Sequence, residues 1–423
     1  MKRNWLFIAA AAAATVPAFA LKFGNFSYEP YVESAVFGVA ILGAAFLLSW
    51  ATEVAELDIS RSLALAVLAL VAVLPEYSVD MYFAWRAADD PVYAHYAAAN
   101  MTGANRLLIG IGWSFVVLLF WLKTRKPSLR LGKGYSVEVA FLLLATLWAF
   151  TVFLRTVFLD GSLTLIDTVV FVGLFAAYVW VSSRAKVEEP HLEGPAATLA
   201  TLGKRGRRGA TLFMFVFSAW VIFMSAEPFA EGLVTSGKQF GIDEFLLVQW
   251  LAPLASEAPE MVIAFLFTLR GNAAMAFGAL LSSKVNQWTL LIGTLPVVYS
   301  INLGQPGALP MDGRQIEEFL LTSAQSLFAL VLIASLRISW RGGLALLVLF
   351  VSQLFFVDPT VRYAFSGVYL GLGALLLVFN ASNRRALFAL VPRGIAQIRK
   401  PGSEAEPQRV APEDDVRARP QDS

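Results

Sequence analysis

Twelve apolar runs, all but the short run 342–357 of a length that crosses a lipid bilayer, are the strongest constraint on how this chain folds. A helix rises about 1.5 Å per residue, so about 20 apolar residues cross the hydrocarbon core. The runs are 4–20, 35–56, 62–85, 100–122, 136–158, 163–183, 210–235, 243–269, 274–302, 315–336, 342–357 and 361–381. Because 57% of the residues are hydrophobic and only 15% are charged, the sequence predicts an all-α polytopic membrane protein with about 11–12 transmembrane helices.

The charged loops between these runs alternate in character, and the alternation predicts an orientation. One series of loops carries most of the basic residues: Lys2, Arg3, Lys123, Arg125, Lys126, Arg130, Lys133, Arg184, Lys186, Lys204, Arg205, Arg207, Arg208, Arg270, Arg337, Arg341, Arg384 and Arg385. The other series mixes a few basic residues with acidic ones. Because loops rich in Lys and Arg remain in the cytoplasm, we expect a cytoplasmic linker and C-terminus. The expected location is the inner membrane of a bacterial or archaeal cell.

The N-terminal run allows two interpretations. MKRNWLFIAAAAAATVPAFA has a basic start, an alanine-rich centre and a small-residue end, which fits an uncleaved helix or a cleaved signal peptide. Both place residue 21 on the outer side, so the orientation of the remaining chain is the same.

Each half of the chain contains a Pro-Glu pair inside an apolar run. Pro75-Glu76 lies in AVLALVAVLPEYSVDMYFAW, and Pro259-Glu260 lies in VQWLAPLASEAPEMVIAFLF. Each glutamate is about ten residues from an arginine, which is about 15 Å along a helix and places it near the bilayer midplane. A carboxylate at that depth is costly and therefore indicates a functional site.

The two halves also match one helix farther along the chain. NMTGANRLLIG resembles LSSKVNQWTLLIG, which pairs Asn105 with Asn286 and Thr102 with Ser283. Five predicted spans separate equivalent points, and because five is odd the two copies cross the membrane in opposite directions. Inverted repeats with helices interrupted at the midplane are typical of secondary transporters. The predicted fold is two inverted five-helix repeats with extra N- and C-terminal helices.

The polar residues of these motifs predict a site for a hard cation. Proline leaves a backbone carbonyl without its donor where the helix breaks, and carbonyl and carboxylate oxygens together suit Na⁺ or Ca²⁺. Further hydroxyl and amide oxygens are offered by Thr102, Asn105, Ser282, Ser283 and Asn286. The chain has no cysteine and no glycine-rich phosphate loop, so we expect no thiolate metal site, no ATP-driven step and no cofactor besides the transported ions.

These motifs resemble those of the cation/Ca²⁺ exchanger superfamily, the sodium/calcium exchanger membrane region. Its two alpha-repeats carry a Gly-Thr-Ser-x-Pro-Glu type motif and, one helix later, a Gly-Ser-Asn-x-x-Asn type motif. The resemblance implies that Glu76 and Glu260 bind the cation and act as its metal ligands. The residues it places in the second motif are Thr102, Asn105, Ser282, Ser283 and Asn286. It also implies two five-helix halves joined by a cytoplasmic linker.

The sequence departs from that family pattern in both repeats. At the Thr-Ser positions of the family motif, the first repeat has Ala72 and Val73, which offer no side-chain ligand. In the second repeat they are Ser256 and Glu257, both candidate ligands, and Glu257 is alternatively the partner of Lys284. Lys284 stands where the family usually has an apolar residue. An internal ammonium would tune the charge of the site and favours a transport cycle that involves protons.

The sequence therefore predicts a secondary active cation antiporter that works by alternating access, not an enzyme. It would exchange Ca²⁺, Na⁺ or both against Na⁺ or H⁺. Its partners would be inorganic cations, protons and the lipid bilayer, and no nucleic acid is expected. The alternative is a non-transporting membrane sensor or scaffold that keeps the exchanger fold.

The predicted organisation has six parts along the chain. They are an N-terminal helix or signal peptide with an outer segment at 1–34, a first exchanger half at 35–183, a cytoplasmic linker at 184–209, a second exchanger half at 210–357, an extra transmembrane helix at 358–383 and a largely disordered cytoplasmic tail at 384–423.

Overall fold

The structure, a computed structural model, describes residues 2–24, 26, 28–58, 74–155, 161–184, 192, 194–354, 356, 358–381 and 383–390. The predictions for 62–73, with Ala72 and Val73, for linker residues 185–191 and 193 and for the tail beyond 390 lie outside the described residues. Each of the twelve predicted runs contains a helix in its described part. The predicted all-α membrane architecture is confirmed.

The helices are numbered here in chain order. They are α1 (Lys2–Phe23), α2 (Pro30–Ala55), α3 (Leu74–Arg86), α4 (Val92–Leu107), α5 (Ser114–Thr124), α6 (Ser136–Arg155), α7 (Leu165–Ser182), α8 (Gly194–Ala200), α9 (Lys204–Phe240), α10 (Glu244–Leu269), α11 (Ala273–Asn286), α12 (Ile292–Leu303), α13 (Gly313–Ile333), α14 (Trp340–Gln353) and α15 (Pro359–Phe379). A π-helical segment, Leu108–Trp113, joins α4 and α5, and another, Gln287–Leu291, joins α11 and α12. The first half consists of α2–α7 and the second of α9–α14.

Two short β-ribbons show that the halves are inverted. On one face of the bundle β1 (Ser128–Arg130), before α6, pairs antiparallel with β4 (Arg337–Ser339), before α14. On the opposite face β2 (Ser162–Leu163), before α7, pairs with β3 (Leu309–Pro310), before α13. Each half has five crossings when α4 is counted together with α5, and α11 together with α12. The loop between the third and fourth crossings of each half thus meets the loop between the fourth and fifth crossings of the other half. This is the relation expected for repeats related by an axis in the membrane plane.

We call the face that bears β1 and β4 the basic face and the other the opposite face. The end of α2 and the start of α9 meet at the basic face, where Asp58 accepts hydrogen bonds from Arg207 at 2.7 Å and from Arg208 at 3.0 Å. These two arginines lower the pKa of Asp58 to about 2. The ion pairs join α2 to α9, the two helices that begin the halves and pack along each other.

The polarity of the molecule is that of a protein surrounded by lipid. Large apolar side chains are exposed along α9, namely Leu212, Phe213, Val216, Trp220 and Phe223. Charged side chains are buried instead, among them Glu76, Asp80, Arg106, Glu257, Lys284, Glu317 and Glu318. Nine helices of the described residues are long and apolar enough to cross a membrane, and α14 is a shorter apolar helix. The chain is an integral membrane protein.

Candidate functional site

The two Pro-Glu pairs lie on α3 and α10, which pack against each other between the halves. Glu76 is in the first described turn of α3, and Glu260 follows Pro259 in α10. The expected break at this proline is not present: α10 runs continuously through Pro253 and Pro259. Each proline still leaves one carbonyl of the preceding turn without its helical donor. The helix is continuous because each proline removes only one backbone hydrogen bond, and the helix still packs against its neighbours before and after that point.

The carboxyl groups of Glu76, Glu257 and Glu260 form a cluster in which the charges of Glu257 and Glu260 act on Glu76 and the charge of Glu260 acts on Glu257. Glu76 is 1% exposed and Glu257 is completely buried. Glu76 Oε2 and Glu257 Oε2 have no hydrogen-bond partner among the described residues. The other Glu257 oxygen accepts a hydrogen bond from the Gln287 amide. Because a buried oxygen without a donor is costly, the cluster is suited to take up a proton or a cation.

The asparagines of the two repeats connect one half with the other. Lys284 Nζ on α11 donates to Asn105 Oδ1 at 2.6 Å and to the Asn105 backbone oxygen at 3.3 Å. Tyr77 Oη on α3 donates to Asn286 Oδ1 at 2.8 Å. Each asparagine therefore accepts a hydrogen bond from the opposite half, which places both at the interface.

The Lys284 ammonium lies inside the protein beside the carboxyl cluster. Its side chain is 1% exposed, it lies 4.4 Å from the centre of the Trp288 ring, and its charge interacts with that of Glu257. The ammonium hydrogen-bonds Asn105, whereas Glu257 hydrogen-bonds Gln287. Lys284 and Glu257 therefore attract each other electrostatically while each hydrogen-bonds a different side chain.

The candidate hydroxyl groups have different surroundings. Thr102 donates to Ala98 O of its own helix at 2.7 Å, and Ser256 likewise donates within α10, so both keep lone pairs for a cation. Ser283 is at the carboxyl cluster, where it hydrogen-bonds Glu260. Ser282 lies on another side of α11 and accepts a hydrogen bond from a tyrosine of α7 at 3.4 Å. The structure therefore brings Ser283 to the glutamates and turns Ser282 toward α7.

Sequence reasoning missed two polar side chains of this site, Tyr77 and Gln287. Each directly follows a motif residue, Tyr77 after Glu76 and Gln287 after Asn286. Their polarity within an apolar run was the available signal, because a phenol or an amide in a membrane span needs a partner. In the structure both have one, an asparagine and a glutamate respectively.

A π-helical segment follows each of the two asparagines. Leu108–Trp113 begins three residues after Asn105, and Gln287–Leu291 begins directly after Asn286. Such segments change the backbone hydrogen-bond pattern and occur frequently at functional sites. Their presence at equivalent points of both halves shows that the repeats share this local geometry as well as the side chains.

The carboxyl groups do not form a ready metal cage. In the part of the chain that the structure describes, no three His, Cys, Asp or Glu side chains are placed to hold a metal ion together. A cation taken up here would therefore use amide, hydroxyl, carbonyl and water oxygens besides the glutamates, or draw the glutamates closer together.

The chain resembles known transport proteins in sequence. The sequence model described as sodium/calcium exchanger protein matches residues 34–184 and 210–357, which contain both Pro-Glu pairs and both asparagines. The chain is also 22% identical over 294 residues to the putative antiporter CaxA of Alkalimonas amylolytica, a match that covers 68% of this chain and 84% of that protein.

Solved structures share the architecture. The crystal structure of the H⁺/Ca²⁺ exchanger CAX is 44% identical with a TM-score of 0.87, and the match covers 93% of this chain and 99% of that one. The structure of native YfkE is 15% identical with a TM-score of 0.59, and the match covers 83% of this chain and 98% of that one. The structure of the sodium-calcium exchanger NCX_Mj is 17% identical with a TM-score of 0.51, and the match covers 78% of this chain and 99% of that one. These two distant matches show the fold alone. The chain belongs to the sodium/calcium exchanger family and is a membrane transporter, not an enzyme.

Proposed function

We propose that the protein is a secondary antiporter that exchanges Ca²⁺ for protons by alternating access. The observation that carries the proposal is the cluster of Glu76, Glu257 and Glu260 at the interface of the inverted halves, where one oxygen of Glu76 and one of Glu257 have no hydrogen-bond partner in the described part of the chain. Similarity to the H⁺/Ca²⁺ exchanger CAX, 44% identical across 93% of this chain, supports the choice of the two ions.

Competition for the same oxygens couples the two ions. The charges of Glu257 and Glu260 act on Glu76, and carboxylates repel one another in a medium of low dielectric. The cluster is therefore stable with protons or with a cation bound and unfavourable with neither. Ca²⁺ binding to Glu76 and Glu260 therefore releases protons, and protons take its place when Ca²⁺ leaves. The amides of Asn105 and Asn286 would complete the site after their present hydrogen bonds with Lys284 and Tyr77 are exchanged.

Alternating access follows from the inverted halves. Because equivalent helices run in opposite directions, an arrangement that opens the cluster to one face has a counterpart that opens it to the other. We assign the basic face to the cytoplasm on the positive-inside rule. The linker and the C-terminal end would then also be cytoplasmic, in a cell inner membrane.

Ion flux in sealed vesicles of defined orientation tests the proposal. With a proton gradient as the driving force, we expect Ca²⁺ uptake by the wild type. Glu76→Gln and Glu260→Gln each remove one carboxylate of the cluster, and we expect uptake to fall by about a hundredfold or more. A neutral amide neither releases a proton nor offsets the charge of a divalent cation, and a contact to a charged group is worth about 1.5–3 kcal/mol. Glu227→Gln, at an exposed glutamate that pairs with Lys22 at 3.9 Å, is the matched control and should transport normally.

Two outcomes would count against the proposal in different ways. If no gradient of H⁺ or Na⁺ drives flux of Ca²⁺ or Na⁺ above background, the protein is a sensor or scaffold that has kept the exchanger fold. If flux is present but unchanged in both glutamine variants, the protein transports cations at a different site.

A further inference from the structure

A second group of buried polar atoms lies one helical turn from Glu76, toward the opposite face. Asp80 is four residues after Glu76, on the same side of α3, and is completely buried. Asp80 Oδ1 accepts a hydrogen bond from Asn100 Nδ2 of α4 at 2.9 Å. Asp80 Oδ2 and Asn100 Oδ1 have no partner among the described residues. With Glu76 Oε2, the adjoining turns therefore present three buried oxygens without donors.

A structural role does not explain these atoms. A carboxyl group that only joined α3 to α4 would use both oxygens, since leaving one buried and unpaired removes part of the gain. Asn100 is 1% exposed and its amide nitrogen donates to the Asp80 carboxyl group, yet its own oxygen also has no partner within the described ranges. Carboxylate and amide oxygens without donors are the ligands that a hard cation such as Ca²⁺ prefers.

The equivalent positions of the second half are apolar. Four residues after Glu260 stands Ala264, and five residues before Asn286 stands Leu281, both buried. Because the halves are inverted, Ala264 and Leu281 lie on the basic side of the carboxyl cluster, whereas Asp80 and Asn100 lie on its opposite side. The polar extension of the site is therefore directed toward one face.

Polar groups continue from Asp80 toward that face. Tyr82 Oη donates to Glu231 Oε1 at 2.6 Å, and Tyr93 Oη donates to the same oxygen at 2.5 Å. The rings of Tyr82 and Tyr93 pack with each other and with Phe83, which is completely buried. Glu231 is on α9, so a carboxylate of another helix holds these two tyrosines in place.

We propose that Asp80 and Asn100 form a transit site that binds the transported cation between the opposite face and Glu76. The inference rests on the proposed antiport function and concerns the route by which the cation reaches the carboxyl cluster. Asp80 Oδ2, Asn100 Oδ1 and Glu76 Oε2 supply protein oxygens, and water completes the shell. Such a site has fewer protein ligands than a storage site and so holds a divalent cation without trapping it.

Side-specific kinetics test this assignment with Ca²⁺ as the probe. In vesicles of known orientation, Asp80→Asn removes the charge and keeps the size of the side chain. We expect the half-saturating Ca²⁺ concentration at the opposite face to rise about tenfold, the usual cost of one charge-assisted contact, while the value at the basic face is unchanged. Asp89→Asn, at an exposed carboxylate that pairs with Arg86 on the same face, is the matched control.

A second variant removes the dependence on a single substitution. Asn100→Leu copies the residue that the second half carries at its equivalent position, Leu281, and should give the same one-sided loss. An equal change at both faces would overturn the inference, because it would make Asp80 part of the central site. No change at either face would overturn it as well.

Ca²⁺ flux by the wild type and by Glu76→Gln tests the proposed function independently of the transit site. Ca²⁺ flux that is present in the wild type and lost in Glu76→Gln from both faces supports the antiporter, whatever Asp80→Asn does. If the wild type carries no Ca²⁺ flux, the proposed function fails first.

Discussion

Lys284 is a positive charge inside a membrane protein, and three features of its surroundings stabilise it. Asn105 offers two oxygens, at 2.6 Å and 3.3 Å, the Trp288 ring presents its face at 4.4 Å, and Glu257 supplies opposite charge. A desolvated cation over an aromatic ring gains about 2 kcal/mol. These contacts join the ammonium to one of the two asparagines that we propose as cation ligands, so the lysine and the transported ion compete for the same oxygen.

Replacing this lysine tests that competition. Lys284→Met keeps the length of the side chain and removes its charge, which frees Asn105 and leaves the carboxyl cluster more negative. We expect the half-saturating Ca²⁺ concentration to fall about tenfold, equivalent to about 1.4 kcal/mol, and the dependence of flux on pH to change. Lys284→Arg, which keeps the charge, is the control. Unaltered pH dependence and ion selectivity in Lys284→Met would exclude a role for the ammonium.

Sequence alone was enough to select the residues that recur in both halves, Glu76 with Glu260 and Asn105 with Asn286. It could not decide between Ser282 and Ser283, because neighbouring residues differ by about 100° around a helix and the sequence does not give the rotation of α11 about its axis. That rotation depends on packing with other helices. The role of each residue at the site remains a prediction until the flux measurements are made.

At the scale of helices, close approach depends on glycine. A Cβ atom at Gly103 would lie 1.9 Å from the backbone oxygen of Gln249, so α4 and α10 touch backbone to backbone there. Small residues allow such contacts in membranes, where packing replaces the hydrophobic effect as the force between helices. The contact brings α4, which carries Asn105, against the helix that carries Glu257 and Glu260.

Adding one methyl group at this contact tests its importance. We expect Gly103→Ala to lower the free energy of unfolding by about 1–3 kcal/mol, because α4 and α10 must separate, and to reduce Ca²⁺ flux as well. Gly173→Ala on α7 is the matched control, since a Cβ there meets nothing within 4 Å and alanine favours the helix by up to about 1 kcal/mol. Thermal unfolding in detergent compares the two variants, and equal midpoints would contradict the role of this contact.

Sequence patterns were good predictors of the helices and poor predictors of how they end and join. The run predicted at 100–122 is part of a crossing from Val92 to Thr124, because polar residues such as Asn100 and Asn105 interrupt its hydropathy without interrupting its hydrogen bonds. The π-helical segments inside two crossings have no composition signal. They arise where tertiary packing shifts the backbone register.

For the whole molecule, the loop charges and the odd number of spans were sufficient to predict inverted halves. They could not predict how the extra helix α15, which lies beyond the family match, is attached to the rest. The structure attaches it through buried charges: Arg362 of α15 pairs with Glu317 at 3.8 Å and with Glu318, and Glu318 also pairs with Arg106 of α4. Complementary charges far apart in sequence give no local pattern, so only the folded arrangement reveals them.

This network predicts a large loss of stability from one uncharged substitution. Glu318→Gln leaves Arg106 and Arg362 with a single acidic neighbour in the interior, and breaking a buried pair costs about 3–5 kcal/mol. The control is Asp243→Asn, which breaks the half-exposed pair with Arg314 at 2.8 Å and should cost about 1 kcal/mol or less. Thermal unfolding in detergent should therefore show a much lower midpoint for Glu318→Gln than for Asp243→Asn. Similar midpoints would mean that α15 is held by apolar packing and that the buried charges contribute little to holding the extra helix against the repeats.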